Sequence, residues 1–337
     1  MIETVLGPIE AAEVGVTSMH EHLLADARVL TAPAREPLPA DRRVTMANLG
    51  FLRWNLLGLE DNLVLDDMDL AVAELAPAVA AGQRGLVELT SWGLAPRYAD
   101  LPTIARRSGL HIVAGYGAYL ARSHPRWLRD ADLDRLFHTA LTEAIEGTGF
   151  RAGLLGIIGT GDDIDPAEHR VLRAAGRVAA RTGAAVSVRL SPARRHGPRV
   201  LEILRAEGAA ADRVVFGNVD EYLDVPYLRD LAAAGATLEW CFGNEAYYRD
   251  GYKDATDAER LDVLCTLLAD GFADRIALGC SVWTKTQLSH FGGMGYGHLV
   301  RRIVPALRSR GVGIDELATM LVQVPRRLLD RPVVTGM

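Results

Sequence analysis

Residues 16–26 read VTSMHEHLLAD. The run GVTSM at 15–19 is apolar and bounded by glycine, as a buried strand is, and His20 and His22 come at its end. Side chains at i and i+2 of an extended chain point the same way, so two imidazoles share one face, which is how a metal site begins. Seven further short apolar runs lie along the chain: 85–90 (GLVELT), 110–115 (LHIVAG), 153–158 (GLLGII), 184–189 (AAVSVR), 213–217 (RVVFG), 235–240 (GATLEW) and 275–280 (RIALGC). Each is rich in Val, Ile and Leu, as parallel strands buried on both faces are. Between them lie amphipathic stretches such as 66–81, 166–182 and 257–270. In DIDPAEH at 163–169, a proline behind an acidic residue marks a helix start. Eight strands alternating with helices predict an α/β fold of the (β/α)8 TIM-barrel type. A doubly wound sheet is the rival, but no GxGxxG comes after any strand, and GYGAYL at 115–120 is not one.

Composition narrows the function. The 337 residues carry 37 Lys+Arg against 43 Asp+Glu, a formal net charge of −6, with no strongly basic block. RRH at 194–196 is too short to change that, which argues against nucleic acid as a partner. No apolar run reaches membrane-spanning length, and MIETVLGPIE lacks the apolar core of a signal peptide. Cys241, Cys265 and Cys280 fit no disulfide framework. A cytoplasmic protein is expected, with a small-molecule substrate as partner, no membrane and a homodimer left open; the Ala and Arg richness matches a high-GC bacterial proteome. A single domain over 1–337 buries a sizeable core. Residues 27–60 fit no barrel unit: TAPAREPLPAD is loop-like and MANLGFLRWNLLG suits a short helix. Placed directly after the first strand, this insertion is expected over the barrel mouth as a lid or pocket wall.

VLGPI (5–9), GVTSMHEHLL (15–24), DNLVLDDMDLAVAEL (61–75), HIVAGYGAY (111–119) and GGMGYGHLVRRIVPALRSRGV (292–312) resemble the phosphotriesterase family of the amidohydrolase superfamily. The resemblance spans residues 2 to about 330. It implies an amidohydrolase-like barrel with two divalent metals at the C-terminal mouth. It also implies a bridged hydroxide that attacks phosphotriesters, lactones or related esters. The ligands it implies are the two histidines of strand 1, a Glu or carbamylated Lys on strand 4, histidines on strands 5 and 6, and an aspartate on strand 8. Here only His20 and His22 match. Ile157, Arg189, Asn218 and Ser281 stand at the other positions. Ile157 has no donor atom, and arginine is a permanent cation that repels a dication. Cys280, one residue before the ligand position, faces the other way in a regular strand. The binuclear site is therefore expected to be lost, with no metal and no cofactor.

What replaces it is a polar mouth. His20, His22, Arg189 and Glu239 are the candidate catalytic residues: the imidazoles as acid or base, Arg189 as holder of an anion or oxyanion, Glu239 as its partner. Glu88, Trp92, Tyr116, Tyr119, Asn218, Ser281, Trp283 and Lys285 are the candidate substrate-binding residues. YYRDGY at 247–252 reads as a loop over the pocket, and Asp220 as an orienting acid. A structural reading competes, in which Arg189 is a buried ion pair with Glu88 or Glu239. The functional expectation is metal-independent acid/base chemistry of cyclase, isomerase or lyase type. The alternatives are an esterase- or lactonase-type hydrolase with one metal or none, and a non-catalytic pseudoenzyme or small-molecule-binding protein.

Overall fold

All eight apolar runs are strands: β1 (Thr17–Glu21), β2 (Gly85–Glu88), β3 (His111–Tyr116), β4 (Leu154–Gly159), β5 (Val186–Arg189), β6 (Val214–Gly217), β7 (Thr237–Cys241) and β8 (Ile276–Gly279). The computed structural model describes residues 1–331 apart from Ala193 and 249–251. The strands pair in chain order, every pair parallel, into one sheet that curls into a nearly closed TIM barrel. Helices pack around it, and they start where the local signals place them. The helix Pro166–Thr182 begins behind Asp165, whose carboxylate accepts from the Ala167 N–H, while Glu168 completes a capping box.

Strand alternation sorts the apolar residues into two layers. Leu86, Ile112, Val188, Phe216, Leu238 and Leu278 pack outward against the helices. Val87, Val113, Ala185, Val215 and Ala277 fill the barrel interior. Two strands break the alternation. The β1–β2 register shifts between Ser18 and Glu21, and the β4–β5 register shifts between Leu155 and Ile158. An extra residue at such a bulge re-aims the side chains beyond it. Met19 therefore packs in the interior, and His20, one position on, still lines the mouth cavity. Ile157 is brought inward in the same way. The apolar run ends at residue 19, but β1 runs to Glu21, because Glu21 pairs with Glu88 and its carbonyl accepts from the Leu89 N–H just past β2.

Between β8 and β1 the contacts are few: Ser281 N–H donates to His20 O (2.8 Å) and His22 N–H to Val282 O (3.2 Å). The fully buried Glu21 carboxylate supplies the rest. It accepts from the Cys280 N–H (3.0 Å), the Val282 N–H (3.1 Å) and the Ser18 hydroxyl (2.6 Å). The glycine at 279 permits the approach, since a Cβ there would lie 2.9 Å from the His20 backbone nitrogen. Cys280 is buried with its N–H on Glu21 and does not line the mouth.

The insertion contains the expected short helix, at Leu49–Trp54. Asp61, just past the insertion's end, ties it to the loop after β8: one carboxylate oxygen takes Lys285 Nζ (2.6 Å) and the other accepts from the Val44 N–H of the insertion (2.7 Å). That contact corrects the expectation that Lys285 lies in the pocket: its charge is spent on Asp61. No helix among the described residues is long and apolar enough to cross a membrane.

Two stability measurements test the seam. Glu21→Ala orphans two buried N–H groups at about 1–3 kcal/mol each, so thermal unfolding should drop by several degrees or more; an unchanged Tm would show the seam closes without it. Burial also pushes Glu21 up to about 7 in the fold, against its ordinary value of 4.5. The native state therefore holds a proton that the unfolded chain has released, and the Glu21 contribution to stability falls as pH rises through about 4.5 to 7. The Tm difference between pH 5 and pH 8 should shift in Glu21→Gln by the loss of that slope.

Candidate active site

The C-terminal ends of the strands surround a cavity of about 150 Å³. Of the expected residues, His20, His22, Tyr119, Arg189, Asn218, Ser281 and Trp283 line it, and Ile157 forms part of its floor. Two of them sit on unusual backbone. Asn218 and Ser281 adopt left-handed φ values of 62° and 46°, a costly conformation for a side-chain-bearing residue and one often found at functional sites.

The histidines are held from behind by a chain of hydrogen bonds. His20 Nδ1 lies 2.5 Å from Glu239 Oε2, His20 Nε2 lies 3.1 Å from His22 Nε2, and His22 Nδ1 lies 3.0 Å from the Thr90 hydroxyl. Thr90 donates its single hydroxyl proton to Glu88, so its oxygen accepts from His22 Nδ1–H. Burial, reinforced by neighbouring His20, holds His22 well below its ordinary range, so His22 is neutral with its lone pair on Nε2. His20 is then the donor at Nε2. Burial opposes charge on His20, but the Glu239 carboxylate and its hydrogen bond prevail and raise its pKa. Glycine at 217 leaves room for this pairing, since a Cβ there would lie 2.8 Å from Glu239 Oε2.

Several expected residues take other roles. Glu239 is the partner of His20, not of Arg189. Glu88 is buried behind Thr90, accepting from the N–H groups of Leu23 and Thr90, and burial raises it to about 7. Neither carboxylate pairs with Arg189, which corrects the structural ion-pair reading: each already has a closer donor. Tyr116 is a core residue packed on Phe137. Trp92 packs edge-on to Tyr98, Tyr116 and Trp127 and borders a separate, open cleft. Asp220 takes the buried guanidinium of Arg260 at 2.8 Å. Of YYRDGY, Tyr248 lines the cavity and Tyr247 packs on Trp54, while 249–251 lie outside the described residues.

Sequence reading missed Glu221, Tyr248 as an individual wall residue, Arg122, and the leucines Leu30, Leu57, Leu94 and Leu120. Glu221 stands three positions after Asn218 and accepts from its amide; that spacing beyond β6 was the available signal. Leu30 and Leu57 bring the insertion to the cavity wall.

The donor set can be tested against the two metals that the resemblance implies. The Nε2 atoms of His20 and His22 are close enough to share an ion, and Glu239 on the far nitrogen of His20 is the usual orienting partner of a ligand. The rest of the set fails. Ile157 offers no atom, Arg189 a fixed positive charge, and Asn218 and Ser281 only neutral oxygens, where zinc takes His, Cys or carboxylate. Among the described residues, one cluster of three such donors lies within 4.8 Å of one another: His20, Glu239 and Cys241. Within it, Glu239 already occupies His20 Nδ1. A binuclear centre does not fit these residues. Elemental analysis of protein purified without chelators should find fewer than two tightly held divalent ions per chain; two would overturn the fit argument.

Comparison with known proteins agrees with this architecture. The phosphotriesterase family model matches residues 1–329. The chain is 29% identical to an N-acetyltaurine hydrolase of Danio rerio and 30% identical to that of Tetraodon nigroviridis, over 97% of each chain. Among solved structures, it is similar to a resiniferatoxin-binding protein from Rhodobacter sphaeroides (34% identity, TM-score 0.94, 98% of this chain and 94% of that one). A mutant of a Deinococcus radiodurans PTE-like lactonase matches at 26% identity and TM-score 0.78, over 98% of this chain and 100% of that one. The hydrolase and lactonase names overturn the expectation of a cyclase, isomerase or lyase, which rested on reading the lost ligands as a change of reaction type. The barrel, the ordered motifs and a family match covering nearly every residue place this chain in the phosphotriesterase family.

Proposed function

We propose that this protein is a hydrolase that cleaves an acyl bond (ester, lactone or amide) of a small organic substrate at the barrel mouth. One observation carries the reading: the Glu239–His20–His22 chain ends at the floor of a small, mostly enclosed cavity. Its relatives' names, N-acetyltaurine hydrolase and PTE-like lactonase, share acyl-bond hydrolysis and support it.

Each residue at the mouth has a part in this reaction. With Glu239 on Nδ1, His20 is a carboxylate–imidazole dyad, and in its protonated form its Nε2–H donates to His22 Nε2 at the cavity wall. Loss of that Nε2 proton leaves neutral His20 with its remaining proton on Nδ1 toward Glu239; Nε2 then takes a proton from the water that attacks the acyl carbon, and the adjacent carboxylate stabilises the imidazolium re-formed. The proton then passes to the departing oxygen or nitrogen as the acyl bond breaks, leaving a carboxylic acid and an alcohol or amine. His22, fixed by Thr90, holds His20 in position. Asn218 and Ser281 offer hydrogen bonds toward charge developing on the carbonyl oxygen. Leu30 and Leu57 of the insertion keep water from the reacting face.

A panel of short-chain aryl esters, γ- and δ-lactones and N-acetyl amines should contain at least one compound turned over well above background. His20→Asn should lower its kcat/KM by about 10²–10⁴, the usual contribution of a positioned proton-transfer group, with the circular dichroism spectrum retained. Background rates across the panel, or wild-type rates in His20→Asn, would overturn the proposal.

A further inference from the structure

Two arginines near the barrel mouth, the buried Arg260 and the partly buried Arg189, are treated in opposite ways. Arg260, buried against β7, has Asp220 at 2.8 Å and Asp257 at 3.6 Å. Arg189 ends β5 with its side chain partly buried, yet no carboxylate among the described residues lies within 4.0 Å of it. Among the described residues, its guanidinium makes one hydrogen bond, from Nη1 to the Thr160 carbonyl at 3.3 Å. A partly buried cation without a direct ion pair is costly; Glu221 faces Arg189 electrostatically but beyond ion-pair distance, and the carboxylates around it take other hydrogen bonds. Glu168 accepts from the N–H groups of Ala121, Gly161 and Asp165; Asp162 accepts from Ser191; Glu221 accepts from the Asn218 amide.

The position of Arg189 says where a counter-ion would come from. The cavity of about 150 Å³ that holds the histidines adjoins an outer one of about 590 Å³. Arg189, Glu221, Tyr248, Leu30, Leu57 and Arg122 line both. Arg189 therefore stands at the neck between the reacting chamber and the vestibule, with most of its guanidinium donors unspent.

We infer that the substrate carries a fixed oxoanion, a carboxylate or sulfonate, which Arg189 takes at this neck while the acyl carbon sits in the inner chamber beside the histidines. Fork-shaped guanidinium donors match such an anion in geometry as well as charge. The inference rests on the hydrolase reading for what happens to the acyl group, but the anion grip itself can be read without any turnover.

Two matched pairs separate the two claims. Turnover is compared for 4-acetoxybenzoate and 4-acetoxybenzamide. Binding is compared by calorimetry for 4-acetylbenzoate and 4-acetylbenzamide, in which a ketone replaces the acetyl ester. The carboxylates should be preferred by about tenfold or more, as a charge-assisted hydrogen-bonded pair requires. Arg189→Met should bring that ratio close to one, and Arg189→Lys, which keeps the charge without the fork, should leave it intermediate. The wild-type binding ratio alone decides the matter if the variants do not fold. Preferential binding of the carboxylate without hydrolysis of either ester would sink the hydrolase reading and uphold the anion grip. Hydrolysis with no carboxylate preference, or no tighter binding of 4-acetylbenzoate than of its amide, would overturn the grip and make Glu221 the internal counter-ion.

Discussion

The closure of the barrel at Glu21 is the constraint on which the rest of the molecule depends. The seam between β8 and β1 has only two backbone bonds across it, and one carboxylate supplies two more acceptors for N–H groups that would otherwise be buried without a partner. Glu21 lies between His20 and His22 in sequence. The residue that shuts the barrel therefore also fixes the backbone on which both imidazoles sit. The bulge just before it makes this possible, sending Met19 into the interior, Glu21 into the seam and the histidines to the mouth.

From that anchor the polar groups are arranged as supports. Glu239 holds one imidazole and Thr90 the other, with Glu88 behind Thr90. None of these three side chains needs to meet the substrate. Orientation from behind of this kind is what a reactive imidazole requires, because a ring free to rotate would present the wrong nitrogen. The front of the site carries an apolar side chain, a cation and two neutral donors, Ile157, Arg189, Asn218 and Ser281. These side chains offer little metal-binding chemistry at the front of the site, while the support behind His20 is in place.

The contrast between Arg260 and Arg189 gives the site its electrostatic character. One is neutralised within the fold and reads as structure; the other keeps its charge available at a boundary between two cavities. The insertion adds leucines beside it and is held down by the Lys285–Asp61 pair. The pocket is therefore apolar on its lid side and charged on its strand side, a division that orients an amphiphilic molecule.

By itself the sequence determined the barrel. Eight Val-, Ile- and Leu-rich runs, the helix signals at Asp165 and Pro166 and the ordered motifs each reflect local backbone preference or burial on two faces, and those forces act through near neighbours in the chain. It also determined that His20, His22, Arg189, Asn218 and Ser281 come together, because strand ends converge in a closed barrel. Pairing was decided only by the tertiary structure. Glu239 and Glu88 were both within range of Arg189 on any strand diagram, and Trp92, Tyr116 and Lys285 were all at strand ends. Their partners depend on side-chain direction and on two bulges, which no periodicity encodes. A carboxylate's choice among donors turns on distances of an ångström or two, and those are fixed by how β1, β4 and β7 pack around one another, not by their spacing in the chain.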